Sequence, residues 1–305
     1  MYSESELILK IRERFRTSDT SVDIGIGDDA AVVSLPTGFS AVLCSDLLAE
    51  NSHFQRHTHP PESIGYKAIA VNISDIGAMG AIPGQCLVSL AVPTDIEESW
   101  IDGLLDGIST ACRQFGVQLV GGDSSAAERV FIDVSMLGRV ETGKAVRRDG
   151  ALVGDGVYVT GSLGGSALGL SLIKSVGPTH PAVHRHLYPE PRHQVGRLLA
   201  SKASAMIDIS DGLSVDLAHL LTESSGSARI DADRIPLHAG ANLELALHGG
   251  EDYELLIAGR DLPSKVGGVA VTQIGEITSG ETGRIVLVQD SRERILEPRG
   301  WQHFQ

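Results

Sequence analysis

The sequence has few aromatic residues, few cysteines and no long apolar run. Aromatic side chains make up 4% of its 305 residues, and there are 3 cysteines. The number of cysteines is odd and no C-x-x-C pair occurs, so nothing in the sequence suggests a disulfide framework or a zinc site. No apolar stretch reaches the length of a membrane span. The acidic start leads into an amphipathic helix pattern and is unlike a signal peptide. These absences predict a globular cytoplasmic protein.

Basic residues are outnumbered by acidic ones. The chain has 25 Lys and Arg against 39 Asp and Glu, a net charge of −14. Such a field repels nucleic acid and anionic membranes, because both bind to basic patches that neutralise phosphate. An acidic protein still binds a nucleotide when divalent cations stand between its carboxylates and the phosphates. The charge therefore excludes nucleic acid and membrane partners and leaves metal-bridged phosphate ligands open.

Helix and strand signals alternate along the whole chain. Helical periodicity is clear at residues 61–79 and 95–115, and strand patterns at 40–44, 86–92 and 130–140. This interleaving predicts an α/β or α+β fold. The pattern is interrupted by a polar, glycine-containing stretch around residues 147–155. We therefore predict two domains, residues 1–147 and 148–305.

Two familiar nucleotide signatures occur, and both lack the context that would give them meaning. Residues 25–30 fit the dinucleotide fingerprint, but residues 31–36 then read as a strand, whereas the fingerprint must open a helix. Residues 138–144 resemble a P-loop, but the next residue is Ala145 and not the Ser or Thr that would bind magnesium. A nucleotide would have to be held in another way.

Aspartates recur beside glycines and apolar segments. Asp46 is predicted to end a strand, Asp123 to follow a strand that ends in Gly121 and Gly122, and Asp75 to lie within an apolar helix. Each alone would be read as a helix cap or turn residue, and Asp211 before a helix is the strongest case. Asp75 is the hardest to explain in this way, because an unpaired carboxylate in an apolar helix face is strongly destabilising.

As a group, these aspartates suit phosphoryl transfer. That reaction needs alignment and charge neutralisation, which magnesium held by short carboxylates provides. Aspartates at strand ends would converge at one edge of a sheet, where ligands of α/β proteins bind. Gly121–Gly122 and the glycines of residues 161–165 would let the backbone approach a phosphate, or would only permit tight packing. Arg148 is a candidate partner for nucleotide phosphates, or a solvated boundary residue.

Ten segments in order along nearly the whole chain carry a family resemblance. The first nine read GIGDDA at 25–30, SD at 45–46, NSHF at 51–54, YKAIAVNISD at 66–75, MGA at 79–81, GGDS at 121–124, YVTG at 158–161, DISDGL at 208–213 and GGEDYEL at 249–255. A tenth, GWQHF at 300–304, lies near the end. Through these segments the chain resembles the thiamine-monophosphate kinase family. That family lies within the superfamily of aminoimidazole ribonucleotide synthetase and selenophosphate synthetase.

The resemblance implies a fold, a reaction and a set of site residues. The fold would be of the two-domain aminoimidazole ribonucleotide synthetase type, with mixed sheets flanked by helices and homodimers formed through the N-terminal domains. The reaction would be direct transfer of the ATP γ-phosphate to thiamine monophosphate, assisted by several Mg²⁺ ions and using no acid, base or nucleophile of the protein. The implied metal ligands are Asp29, Ser45, Asp46, Asp75, Asp123, Asp208 and Asp211. The implied ATP contacts are Gly122, Asp123, Arg148 and Ser210, and the implied substrate contacts are His53, Glu251 and Trp301.

One position departs from the family pattern, and four alternative functions have to be weighed against this resemblance. Cys44 occupies a place where the family usually has a hydroxyl residue, and a thiol is a poor magnesium ligand, so a contact there would come from the backbone carbonyl. Residues 249–255 and 300–304 argue against a purine-pathway synthetase. The lack of a reactive cysteine before Gly25 argues against selenophosphate synthetase. A non-catalytic binding protein would have lost its ligand carboxylates, and a scaffold would leave Asp75 unexplained.

Overall fold

The computed structural model describes residues 4–16, 20–26 and 30–301, which divide into two compact units. The first unit comprises residues up to 76 together with 82–143, and the second comprises 77–81 together with 144–305. Each unit carries its own sheet and helices. The predicted α/β class with mixed sheets is confirmed. None of the helices in these described ranges is both long and apolar enough to cross a membrane.

The first unit is built on a mixed sheet. Its elements are α1 (Glu4–Arg14), β1 (Val22–Ile24), β2 (Val32–Val33), β3 (Phe39–Ala49), α2 (Pro61–Ala78), β4 (Ile82–Val92), α3 (Glu98–Phe115), β5 (Gln118–Ala126) and β6 (Phe131–Glu141). Within the described part of this unit, four strands form the main sheet in the order β3-β6-β4-β5. The β4–β5 pair is parallel and the other two pairs are antiparallel.

The two faces of this sheet have different environments. Along β6, Ile132, Val134 and Met136 are almost fully buried, whereas the residues between them are partly exposed. Gly138 continues the buried row, and a β-carbon there would touch the side chain of Ile76 on α2. Helix α2 therefore covers one face of the sheet, and the residues that alternate with the buried ones form an open face.

Helices α2 and α3 pack with their backbones in close contact. A β-carbon at Gly65 would overlap the carbonyl oxygen of Leu104, and one at Gly107 would overlap the carbonyl oxygen of Glu62. Such a close approach requires glycine at both positions. The contact fixes α2, which carries Asp75, against α3.

The second unit is built on a larger mixed sheet with its own core. Its elements are β7 (Gly156–Thr160), α4 (Gly165–Val176), α5 (Pro181–Leu187), α6 (His193–Leu199), β8 (Ala203–Asp208), α7 (Leu213–Glu223), β9 (Ser227–Asp231), a 3-10 turn (Ala232–Arg234), α8 (Leu243–His248), β10 (Leu255–Gly259), β11 (Lys265–Val266), β12 (Val269–Thr278), β13 (Ile285–Gln289) and β14 (Arg292–Ile295). Among the described residues, the sheet has eight strands in the order β14-β13-β9-β12-β7-β10-β8, with β11 beside β12.

Residues 77–81 pack as part of this second unit although they follow directly on the first. Ala78 belongs to the same buried cluster as Leu199 and Leu255. The backbones of Gly77 and Gly196 come so close that a β-carbon at Gly196 would overlap the carbonyl oxygen of Gly77. The second unit is therefore not contiguous in sequence.

Two strands are longer than the sequence indicated, and this corrects the position of two aspartates. Strand β3 continues past Asp46 to Ala49, and β5 continues past Asp123 to Ala126. Both aspartates therefore lie inside strands, and their strands form opposite edges of the sheet, so the expected convergence of strand ends is wrong for this pair. The physical reason in β5 is that Gly122 does not end the strand. The carbonyl oxygen of Val88 on β4 lies so close to Gly122 that a β-carbon would overlap it, so glycine is needed there for the pairing to continue.

Candidate functional site

Ser45 and Asp46 lie in the middle of β3 and face opposite sides of the sheet. Asp46 pairs in register with the buried Val134 and shares its face with Cys44. The Ser45 hydroxyl is on the open face, where it donates to Asp133 Oδ1 at 3.0 Å. Asp46 therefore lies on the side of the sheet that carries α2, and Ser45 on the other.

The thiol of Cys44 interacts with α2. Its Sγ lies 3.4 Å from Asn72 Oδ1 and 3.6 Å from the Asn72 carbonyl oxygen. Asn72 is fully buried, and its amide donates in turn to the carbonyl oxygen of Ala68 at 3.1 Å. This cysteine thus contributes a contact between strand and helix.

Asp75 is partly exposed on a helix whose neighbouring residues are buried. Ser74 and Ile76 have no exposed surface, while Asp75 is partly exposed. A carboxylate that reaches accessible space is stabilised by water or a cation, so its penalty is smaller than for a fully buried one. The side chain is therefore partly accessible to solvent.

A polar row crosses the open face of the first sheet. Asp133 and Asp123 both pair in register with Ser89, on either side of it. The sequence analysis did not single out Asp133. Its position was recognisable, because β6 alternates apolar and polar residues and Asp133 occupies one of the outward positions. The carboxylates of Asp123 and Asp133 therefore lie on one line across the sheet, with β4 between them.

In the second unit, Asp208 and Asp211 come together with an aspartate that the sequence analysis did not single out. Asp208 is the buried last residue of β8. Asp216, on the first turns of α7, accepts hydrogen bonds at Oδ2 from the backbone N–H groups of Ser210 (3.1 Å), Asp211 (3.1 Å) and Gly212 (3.0 Å). The Asp216 carboxylate therefore fixes the loop that carries Ser210 and Asp211.

These three carboxylates repel one another. Burial, together with the charges of Asp208 and Asp211, raises the pKa of Asp216 to about 8. A divalent cation beside such a set would relieve the repulsion, and oxygen ligands on short stems suit Mg²⁺. Within the described ranges, no three acidic, histidine or cysteine side chains form a ready-made metal site. Asp29, one of the predicted ligands, lies outside those ranges.

Two predicted substrate residues meet the same loop through their backbones. The N–H of Glu251 donates to the carbonyl oxygen of Ser210 at 2.7 Å, and the N–H of Trp301 to that of Asp211 at 3.3 Å. The Glu251 carboxylate lies 3.2 Å from His186 Nδ1. The Trp301 side chain is 49% exposed. The loop at 210–211 thus brings an acidic and an aromatic side chain to one region.

The acidic segment around Glu251 divides into different roles. Asp252 accepts from the N–H groups of Gly164 (2.6 Å) and Ser166 (3.2 Å) at the start of α4, and burial raises its pKa to about 6. These amides are therefore occupied by a carboxylate of the protein. This supports the packing interpretation of the glycines at 161–165 rather than the phosphate-binding one.

Glu254 is the centre of a buried ion-pair network. Its carboxylate accepts from Arg192 Nε (2.7 Å) and Nη2 (2.6 Å), from Arg185 Nη2 (2.5 Å) and from the Thr160 hydroxyl (2.6 Å). Burial alone would raise the pKa of Glu254, but the arginines and the hydroxyl outweigh it and hold the pKa below its ordinary value. The two arginines also line a cavity of about 280 Å³.

The remaining predicted residues lie on loops. Arg148 is exposed, and its carbonyl oxygen accepts from the Ser224 hydroxyl at 2.6 Å. His53 is half-buried, and its Nδ1 accepts from the Ala49 N–H at 2.9 Å. Neither position is fixed by burial of the side chain.

The chain is similar over its full length to known proteins. Residues 27–140 match the model of the AIR synthase related protein N-terminal domain, and residues 153–288 match that of the C-terminal domain. The thiamine-monophosphate kinase of Bacillus subtilis is 38% identical over 99% of both chains. That of Salmonella typhimurium is 34% identical over 99% of this chain and 98% of its own.

Solved structures agree with this similarity. The crystal structure of thiamine-monophosphate kinase from Stenotrophomonas maltophilia superposes with a TM-score of 0.83 at 32% identity, covering 92% of this chain and 95% of that one. The structure of AaThiL complexed with AMPPCP and TMP has a TM-score of 0.79 at 34% identity, covering 99% and 97%. The hydrogenase maturation protein HypE, at 17% identity and a TM-score of 0.78 over 97% of both chains, shares the fold.

Proposed function

Because the chain belongs to the AIR synthase related family and matches thiamine-monophosphate kinases from end to end, we propose that it transfers the γ-phosphoryl group of ATP to thiamine monophosphate. The products are thiamine diphosphate and ADP. The observation that carries this proposal is the full-length likeness to AaThiL, whose structure is complexed with AMPPCP and TMP. AMPPCP is an ATP analogue with a methylene bridge between the β- and γ-phosphates. TMP stands for thiamine monophosphate.

The acidic residues suit the charge requirements of this reaction. Asp46, Asp75 and Asp123 in the first unit, with Asp208 and Asp211 in the second, would hold Mg²⁺ ions, joined by Ser45 and Asp29. Bound magnesium supplies alignment of the phosphates and neutralisation of their charge. The protein's part is rigidity: packing against α3 holds the helix of Asp75, and Asp216 holds the loop of Asp211.

No side chain is needed as nucleophile, acid or base. The phosphate of thiamine monophosphate is anionic at neutral pH, so its own oxygen attacks the γ-phosphorus directly. On the nucleotide side, Gly122, Asp123, Arg148 and Ser210 would contact ATP. Catalysis then consists of positioning two anionic substrates in line and neutralising their repulsion.

His53, Glu251 and Trp301 are the proposed contacts to thiamine monophosphate. The thiazolium ring is a cation and both rings of thiamine are aromatic, so a carboxylate and an exposed indole are suitable partners. The backbones of Glu251 and Trp301 are both fixed to the loop at 210–211. This loop would therefore couple the position of the substrate rings to that of the metal ligands.

The direct test mixes the purified protein with Mg-ATP and thiamine monophosphate and separates the products by chromatography. We expect thiamine diphosphate to form in equal amount to ADP, and no product with free thiamine, which lacks the acceptor phosphate. ATP consumption without thiamine diphosphate would overturn the proposal and favour a synthetase of the same superfamily.

Replacing Asp75 tests the metal assignment. Asp75→Asn keeps the shape of the side chain but removes its charge, so we expect a normally folded protein whose Mg²⁺-dependent turnover falls about 100-fold or more. The matched control is Asp95→Asn, an exposed aspartate of the same unit. Wild-type turnover of Asp75→Asn over a magnesium titration would contradict the assignment.

The open face of the first sheet supports a homodimer. Four large apolar side chains of β3, β4 and β6 are exposed on it: Leu43 (75%), Leu47 (49%), Leu87 (43%) and Phe131 (37%). Several exposed large apolar side chains on one face of a sheet favour an interaction site. We propose that a second copy of the chain covers it.

As an ATP-consuming enzyme, the protein would act in the cytoplasm, where ATP is produced.

A further inference from the structure

The cavity beside Glu254 has no part in the proposed reaction. It lies within the second unit, between the loop at 161–162, helix α5, the segment 188–192 and His238. At about 280 Å³ it is close to the lower limit of roughly 300 Å³ for small-ligand pockets. Its charged lining consists of Arg185 and Arg192 against Glu190 and Glu254, and the imidazoles of His184 and His238 also line it.

The two guanidinium groups are held in fixed positions. Arg192 makes a two-pronged contact with Glu254, and Arg185 donates both to Glu254 and to the backbone carbonyl oxygen of Asp252 at 2.8 Å. Glu254 is almost fully buried, so an arginine that moved away from it would lose charge-assisted hydrogen bonds that water does not readily replace. Glu254 balances only one of the two positive charges, and the other is left to Glu190, which also lines the cavity.

The outer edges of both arginines meet a second, weakly held carboxylate. Glu190 Oε2 lies 3.3 Å from Arg192 Nη1 and 3.9 Å from Arg185 Nη1, and the Glu190 side chain is 63% exposed. Exposed ion pairs of this kind contribute little to stability. Glu190 thus places a carboxylate oxygen where an external anion would bind. Because its side chain is exposed, this carboxylate can leave the arginines and be solvated by water.

One further observation and the shape of the arginine side chain fit an anion at this position. Burial first, and then the charges of Arg185 and His180, lower the pKa of His238, so positive charge lies close to this imidazole. The planar fork of an arginine matches the oxygens of a phosphate better than any other side chain does.

We propose that this cavity is a magnesium-independent binding site for a phosphate oxyanion, and that Glu190 is its displaceable internal occupant. The oxyanion belongs either to inorganic phosphate or to a phosphate ester such as thiamine monophosphate. In both cases the phosphate oxygens replace the Glu190 carboxylate on the outer edges of Arg185 and Arg192, whose inner edges stay on Glu254.

The test is a calorimetric titration with inorganic phosphate in excess EDTA. The chelator removes magnesium, so aspartate-held metal cannot bind phosphate and the heat reports on the arginine site. We expect weak saturable binding to the wild-type protein and about fivefold tighter binding to Glu190→Ala, because the competing carboxylate is gone. A gain in affinity cannot come from partial unfolding.

The matched control is Glu281→Ala, which removes another exposed glutamate of the same unit with an arginine partner, Arg284. Its phosphate affinity should equal that of the wild type. A second titration with thiamine monophosphate identifies the source: tighter binding than phosphate assigns the site to the ester, and equal or weaker binding assigns it to free phosphate.

Absence of saturable phosphate binding to both wild type and Glu190→Ala would overturn the proposal, as would the same gain in Glu281→Ala. The kinase assay is independent of this result, since it is measured with magnesium and scores product. A protein that makes no thiamine diphosphate but binds phosphate in EDTA would refute the proposed function and leave this site standing.

Discussion

Glu254 is a buried carboxylate that accepts hydrogen bonds from two arginines and a threonine. Its folded pKa is below its ordinary value of 4.5, so its contribution to stability is complete above that pH and is lost as the pH falls through the folded pKa. At neutral pH, Glu254→Gln should lower the free energy of unfolding by roughly 3 kcal/mol, because two buried guanidinium groups lose their counter-charge.

The measurement is chemical unfolding of wild type and Glu254→Gln across pH. Their difference in unfolding free energy should be constant near neutrality and shrink below pH 4.5, where the wild type loses the same interaction. The exposed Glu281→Gln should stay within about 0.5 kcal/mol of wild type. If the difference in unfolding free energy between wild type and Glu254→Gln grew toward acid pH, the pKa of Glu254 would be raised in the folded protein and not lowered.

Single residues show where prediction from sequence stops. The sequence marked the segment at 249–255 as unusually acidic, but only the structure shows that Asp252 binds the first amides of α4 while Glu254 binds arginines. These partners are 62 to 94 positions away in sequence, and spacing carries no information about them. Asp216 was missed for a different reason: its partners are backbone amides only 4 to 6 positions away, and a side chain that binds loop amides leaves no pattern in the sequence.

At the level of elements, the bounds of α2 were predicted more closely than those of β3. The predicted helix at 61–79 is observed as Pro61–Ala78, because its periodicity is a local property of the sequence. The predicted strand at 40–44 is observed as Phe39–Ala49, because its length is set by pairing with β6. Gly121 and Gly122 read as a strand end, yet they lie within β5 and allow β4 to approach.

The contact between α2 and α3 gives a prediction for Gly107→Ala. In an isolated helix, alanine is more favourable than glycine by about 1 kcal/mol. Here the added methyl group would overlap the Glu62 carbonyl oxygen, so the helices must separate. We expect a net destabilisation of about 1–3 kcal/mol in denaturant unfolding.

Gly103→Ala is the matched control on the same helix. Its methyl group would meet side-chain atoms of Pro61 and Glu62 at 2.8 and 2.9 Å, and the glutamate can rotate away. Its loss of stability should be clearly smaller than that of Gly107→Ala. Equal stabilities for the two variants would mean that the backbone contact does not limit the approach of the helices.

At the scale of the whole molecule, the two-unit α/β architecture followed from the sequence, and the family resemblance is confirmed by matches to both domain models. The discontinuity of the second unit did not follow. Nothing in residues 77–81 distinguishes them from the helix before them, because their packing partners lie far along the chain.

The proposed homodimer gives a prediction at the same scale. Leu43→Glu places a charge on the open face, on its edge strand β3, and should shift the protein from dimer to monomer in light scattering coupled to size-exclusion chromatography. Leu170→Glu, at an exposed leucine of α4 in the other unit, should leave the mass unchanged. A wild type that is monomeric at micromolar concentration would refute the proposal.

The discontinuity at residues 77–81 bears on how the chain can be cut and how it is made. A fragment that begins at Lys144 lacks Ala78 from its core, and the Val146 N–H loses the Met79 carbonyl oxygen, its partner at 3.1 Å. During translation this segment emerges before β4, β5 and β6, and its partners around Gly196 emerge after them. The second unit therefore closes onto a segment that was synthesised much earlier, and its maturation depends on the ribosome having released nearly the entire chain.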